Sequence, residues 1–117
     1  EGLVENSRRM GELMGMHLAE LKERHPCVGD VRSIGLFGVL DLVRDRKTRK
    51  PLSEWNKPLS PAMKVISAKL FELGLYTYIR WGWVFVVPPL IIEQSVLDEG
   101  FRIIDEALKL GDQAVVA

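Results

Sequence analysis

Residues 76–90 read YTYIRWGWVFVVPPL, and this run restricts the fold more than any other part of the chain. Side chains that are aromatic or branched at Cβ lose rotamer freedom in a helix and pack well on a pleated surface. Two strands are expected, Tyr76 to Trp81 and Val84 to Val87, with a tight turn at Trp81-Gly82-Trp83. Pro88-Pro89 ends the second strand because proline brings no N–H to a ladder, and Leu90 to Ile92 lead out. One arginine, Arg80, sits inside this apolar pair. Strand alternation puts Tyr76, Tyr78 and Arg80 on one face and Thr77, Ile79 and Trp81 on the other. A guanidinium among aromatic rings can stack on them and offer two parallel donors to a planar anion. An inter-strand ion pair or a snorkelling edge residue explains the same arginine equally well.

Helices flank the pair. Ser60-Pro61 supplies a capping hydroxyl and then proline at the first helical position. Met63, Ile66, Leu70 and Leu73 follow as one stripe, and Gly74 closes the helix in a left-handed conformation. A last helix carries Leu97, Phe101, Ile104 and Leu108, with Gly111 expected to end its ordered part and the tail DQAVVA expected to fray. At the start, Met10, Met14, Leu18 and Leu21 form a core-facing stripe widened by Leu13 and His17, ending near His25 before Pro26. Val28 to Asp45 is rich in β-branched residues and reads as two strands or one long bent strand, with Gly35 and Gly38 at a bulge or close approach. Arg44 to Pro61 is a polar loop that can open as a hairpin. The order α-β-β-α-β-β-α predicts an α+β fold, a small antiparallel sheet of about three to four strands with helices on one face.

With 117 residues the chain is expected to be a single domain, 1–117. Sixteen basic residues balance sixteen acidic ones, which argues against nucleic acid or an anionic membrane as partner. No apolar run approaches the ~20 residues of a membrane span. Cys27 is the only cysteine, which fits a reducing, cytoplasmic setting. The chain begins with Glu1 rather than Met and reads as a piece of something larger. No catalytic or metal-binding residue is expected. His17 and His25 have no second ligand at metal spacing, Cys27 has no activating partner, and Gly35-x-x-Gly38 is too short for a phosphate loop. The acidic pairs Asp41/Asp45 and Asp98/Glu99 read as solvated. So does the basic cluster Arg44, Arg46, Lys47, Arg49 and Lys50.

Four segments in order, VGDVRSIGLFGVLDLVRDRKTRKPL, the helix opened by Ser60-Pro61, ELGLYTYIRWGWVFVVPPLII and LDEGFRIIDEAL, carry a resemblance that covers nearly the whole chain. Together they resemble the carboxy-terminal small domain of class III (omega-amino acid) aminotransferases, which are fold-type I enzymes dependent on pyridoxal 5′-phosphate. The form YTYIRWGW looks most like the taurine–pyruvate branch. The resemblance implies that Arg80 grips the substrate's carboxylate or sulfonate and swings aside for substrates lacking one, with Tyr78 and Trp81 beside it as substrate-binding residues. Glu93 stands where the family often has a Thr or Ser helix cap. The resemblance also implies that the Schiff-base lysine, its aspartate and the phosphate site lie in a large domain upstream. The cofactor would then belong to the intact parent, a homodimer or larger assembly. Lys64 and Lys69, on an amphipathic helix, are not expected to bind it, so the chain alone should bind no cofactor and be inactive. The implied reaction moves an amino group from an amino acid or amine to a 2-keto acid such as pyruvate. The readings that compete with this one are a free-standing α+β ligand-binding or regulatory module, and a nucleic-acid binder stacking bases on Tyr76, Tyr78, Trp81 or Trp83.

Overall fold

The computed structural model describes residues 2–89 and 91–115. Leu90, expected to lead out of the second strand, lies outside them, as do Glu1 and the end of the tail, 116–117. The elements follow in the order α1 (Leu3–Arg24), β1 (Val28–Ile34), β2 (Phe37–Asp45), β3 (Lys50–Pro51), α2 (Pro61–Glu72), β4 (Ile79–Arg80), β5 (Trp83–Val86) and α3 (Gln94–Asp112). This is the expected α+β order with one addition, the short β3 that turns the polar loop into a hairpin with β2. The sheet is antiparallel, ordered β1-β2-β5-β4, with β3 pairing β2.

Strand alternation gives the sheet two unlike faces. Along β2, Gly38, Leu40 and Leu42 point inward and are buried, while Phe37, Val39 and Asp41 point outward. Val84 of β5 joins the buried face, and the stripes of all three helices close over it. Met10, Met14, Leu18 and Leu21 of α1, Met63, Ile66 and Leu70 of α2, and Leu97, Phe101, Ile104 and Leu108 of α3 belong to one continuous core. Gly38 is the close approach expected of it, because a Cβ there would meet Met14 Cε at 3.0 Å and Leu18 Cδ1 at 3.1 Å. Gly35 sits in the β1–β2 turn at φ +55°, so Val28 to Asp45 is two strands and not one bent strand. Ser60 caps α2 by accepting from the Met63 N–H at 3.3 Å, and Gly74 follows the helix at φ +92°. Glu93 occupies the cap position of α3 without a side-chain cap bond.

Three expectations are corrected. Gly111 does not end α3. The helix runs one residue further, to Asp112, and a Cβ on Gly111 would meet Cys27 Sγ at 2.9 Å and Ile66 Cδ1 at 3.0 Å, so it is a packing glycine and not a left-handed cap. The strand expected over Tyr76 to Trp81 has only Ile79–Arg80 in the ladder, paired with Val84 and Trp83. At this sheet edge Thr77 turns its hydroxyl to the Phe85 carbonyl, and Tyr76 packs on Phe71 at the end of α2, 4.9 Å between ring centroids. Finally, Arg46 is no free surface charge. It donates from Nε to the Val28 carbonyl at 3.2 Å, and from Nη2 to the His25 carbonyl at 2.8 Å and to the Lys22 carbonyl, holding the end of α1.

Candidate functional site

Arg80 is the outermost ladder residue of β4. Its neighbour Ile79 opposes the buried Val84, so alternation sends Arg80 to the open face, opposite Trp83. There the guanidinium donates from Nη1 to the Tyr78 hydroxyl at 2.8 Å. Its Cζ lies 4.9 Å from the centroid of the Trp81 ring, a cation–π distance. Among the described residues no carboxylate comes within ion-pair distance of it. The inter-strand ion pair, one of the two sequence explanations for this arginine, is absent there.

The structure therefore brings Arg80, Tyr78 and Trp81 together, but not by the alternation expected. Strand alternation alone puts Trp81 on the opposite face. Its backbone instead adopts φ +53°, a left-handed turn conformation that is uncommon for a bulky residue and costs ~1–3 kcal/mol. That turn swings the indole to the arginine's side, against Trp83 at 5.1 Å and Trp55 at 5.5 Å between centroids. Gly82 permits the turn to press on β2. Its carbonyl accepts from the Leu42 N–H at 2.7 Å, and a Cβ on it would meet the Leu42 carbonyl oxygen at 2.9 Å.

From Trp83 the rings continue to Phe85 at 6.4 Å, and Phe85 meets both Tyr78 at 5.3 Å and Phe37 at 6.2 Å. The outer face of the sheet is thus an aromatic surface with Arg80 at one edge. Tyr78 is 56% exposed and Phe37 51% exposed. Beside them Asp30, Arg32, Val39, Asp41, Trp83 and Phe85 line an open groove of about 240 Å³. Asp41 is half-buried there. Burial first, and then the nearby Asp30 charge, push its carboxyl above the ordinary range. Burial would also raise Asp30, but hydrogen bonds from Arg32 and the Val31 N–H and the charge of Lys22 hold it below. The expectation that Asp41 is simply solvated is corrected. The alternation of Phe37, Val39 and Asp41 against Gly38, Leu40 and Leu42 places it only on the outer face; that Asp30 faces it across the ladder is set by the β1–β2 register.

His17 and His25 have structural partners. His17 stacks on Phe101 with centroids 4.7 Å apart and meets Asp98 Oδ1 at 2.7 Å through Nε2. Asp98 and Glu99 are thus engaged, Glu99 by Arg102 at 2.6 Å. His25, 2% exposed, meets Asp112 through Nδ1 at 2.5 Å and Asp105 through Nε2 at 2.6 Å. Asp112 also accepts from the Cys27 N–H at 3.1 Å. Cys27 is fully buried, and burial followed by the Asp112 contact pushes its thiol well above the ordinary range, the opposite of an activated nucleophile. The described residues contain no cluster of three side chains fit for a metal ion, and no described helix is long and apolar enough to cross a membrane.

A carbonyl cofactor held as a Schiff base needs a sheltered lysine. None of the described lysines is buried. Lys64 lies exposed on α2, and Lys69 is 3.8 Å from Glu72. These residues do not fit such a group by themselves.

The sequence profile of the family described as Aminotransferase class-III matches residues 1–108. Ethanolamine-phosphate phospho-lyase homolog 1 of Caenorhabditis elegans is 33% identical over 115 residues, 94% of this chain and 23% of that protein. A taurine–pyruvate aminotransferase of Rhodobacter capsulatus is 50% identical over 54 residues, 46% of this chain and 12% of that protein. Among solved structures, a taurine:2-oxoglutarate aminotransferase from Bifidobacterium kashiwanohense, in complex with PLP and glutamate, superimposes with a TM-score of 0.89 at 32% identity, covering 97% of this chain and 25% of that one. The chain spans about a quarter or less of the length of these proteins. Their names include a lyase and transaminases, so the likeness fixes the family and not the reaction.

Proposed function

The chain belongs to the class III aminotransferase family, and we propose that it is the small, carboxy-terminal domain of a pyridoxal-phosphate-dependent transaminase. The parent enzyme would move an amino group from an amino acid or amine to a 2-keto acid. The observation that carries the reading is Arg80, a guanidinium on an aromatic open face with no carboxylate partner among the described residues. Arginine presents its donors as a planar fork that matches a carboxylate or sulfonate. Trp81 would support the bound pair from below, and Tyr78 would hold the guanidinium from the side. The remaining work of this domain is to close one wall of the site and exclude water, so that the acid group is held in one orientation.

The cofactor, which supplies the electron sink, would be held by a large domain of the same parent chain, because the lysines described here do not fit it. The exposed aromatic face is the natural surface for that domain. Nucleic acid is not an expected partner, since the whole chain carries no net charge. We infer a homodimer or larger assembly for the parent from the family resemblance.

The test is Arg80→Ala in the full-length enzyme. KM for the acidic co-substrate is expected to rise ~10- to 100-fold, the worth of a charge-assisted pair of hydrogen bonds. KM for a simple amine donor should change little. Equal effects on both substrates would sink the role of Arg80.

A further inference from the structure

We propose that Tyr78 is a positioning residue for Arg80 rather than a direct contact of the substrate. The inference rests on the reading of Arg80 as the anion-binding group. A guanidinium has two edges that can take a carboxylate with parallel donors: its end, Nη1–Nη2, and its side, Nε–Nη2. The Tyr78 hydroxyl sits on Nη1 at 2.8 Å. It takes one of the two Nη1 hydrogens, and the side edge, Nε–Nη2, keeps both its donors without a partner among the described residues, open to a planar acid group. The Trp81 ring lies against the guanidinium at 4.9 Å and limits rotation out of this plane.

Tyr78 is itself anchored. Its carbonyl accepts from the Phe85 N–H at 2.9 Å, and its ring packs on Phe85 at 5.3 Å between centroids. The hydroxyl is therefore a fixed post projecting from the sheet edge. An arginine held by one such bond loses less side-chain freedom when an acid binds, and that saving appears as affinity. A substrate without an acid group gains nothing from the post. Tyr78 is in this way a specificity-determining residue for acidic substrates, acting through Arg80.

The test uses Tyr78→Phe in the full-length enzyme, with Arg80→Ala beside it. Phenylalanine keeps the ring on Phe85 and removes only the hydroxyl. KM for the acidic co-substrate should rise ~3- to 10-fold, less than for a buried bond to a charge because the site is exposed. Its kcat, and both constants for a simple amine, should move far less than KM for acids, the split that marks a positioning role. The inhibition constant of butyrate, which carries the acid group and cannot react, should rise by the same factor. If Tyr78→Phe behaves as the native enzyme while Arg80→Ala loses its grip on acids, the positioning role is overturned and the Arg80 reading stands. If Arg80→Ala leaves acids unaffected, the reading beneath this inference fails. An equal rise of KM for acid and amine after Tyr78→Phe would mean a merely structural role and would also overturn it.

Discussion

Two glycines of α3 should answer the same substitution with opposite signs. Gly100 and Gly111 both lie inside the helix Gln94–Asp112. A helix-interior glycine costs ~0.5–1 kcal/mol relative to alanine, through backbone freedom lost on folding. At Gly100 an added Cβ meets nothing within 4 Å, so Gly100→Ala should recover that amount and stabilise the chain. At Gly111 the same Cβ meets Cys27 Sγ at 2.9 Å and Ile66 Cδ1 at 3.0 Å, and Cys27 Cβ at 3.4 Å. Cys27 is pinned by its backbone bond to Asp112 and is fully buried, so it has little room to withdraw. Overpacking of this kind costs ~1–3 kcal/mol. Set against the helix gain, Gly111→Ala should destabilise by up to about 2.5 kcal/mol. Urea unfolding of the 117-residue chain, at a concentration low enough to keep it monomeric, reads both. With an m-value of ~1.5 kcal/mol/M, the midpoints should move by roughly +0.5 M and by as much as about −1.7 M. Equal shifts of one sign, or a stabilised Gly111→Ala, would refute the claim that α3 packs on Cys27 through this glycine.

Other outcomes follow from the same contacts. His25→Ala strips Asp105 and Asp112 of a buried partner and should cost ~2–4 kcal/mol in the same unfolding assay. For Asp105, burial works against ionisation, but bonds from His25 and Arg24 win and hold its carboxyl below the ordinary range. A depressed folded value contributes stability above the unfolded value and loses it as pH falls through the folded one. Thermal melts should therefore weaken progressively below about pH 4, and Asp105→Asn should flatten that acid limb. Arg46→Ala removes donors to three carbonyls near the end of α1 and should lower stability by ~1–2 kcal/mol, while Lys47→Ala next to it stays within about 0.5 kcal/mol. The isolated chain, with Tyr78, Phe37 and Trp55 more than half exposed, should self-associate. Light scattering that shows only monomer at high concentration would contradict this.

The parts legible in the sequence were those fixed by neighbours in the chain. Ser60-Pro61 and Gly74 bound α2 because a cap is built from residues a few positions apart. The stripes of α1 and α3 became core because 3.6-residue spacing survives any tertiary arrangement. What escaped depended on contacts across tens of residues. Gly111 looked like a helix end, and only the approach of Cys27, 84 positions earlier, makes it a packing site. Arg46 looked like one of five solvated cations, yet the end of α1 comes back to it. Trp81 broke the alternation because turn geometry overrides the strand period, and no local pattern announces a tryptophan at positive φ. Arg80 stands out by its setting alone, whereas the lack of a carboxylate beside it among the described residues is a property of the fold.

The exposure of the outer sheet face and the task proposed for Arg80 belong to one physical account. A lone arginine in water gains little from a carboxylate: at 4 Å the attraction is ~1 kcal/mol in bulk water and ~4 kcal/mol at the effective dielectric of a partly covered surface. Aromatic rings are poor partners for water but good walls for a site that another surface completes. Covering Tyr78, Trp83 and Phe85 would remove apolar area from solvent at roughly 25 cal/mol per Å². The same covering would lower the dielectric around the guanidinium and strengthen its hold on an acid group. On the proposed reading, docking and substrate gripping are therefore coupled. A substitution that weakens the cover away from the arginine, such as Phe37→Ser, which removes a ring packed on Phe85, should raise KM for acids while leaving the contacts of Arg80 with Tyr78 and Trp81 untouched.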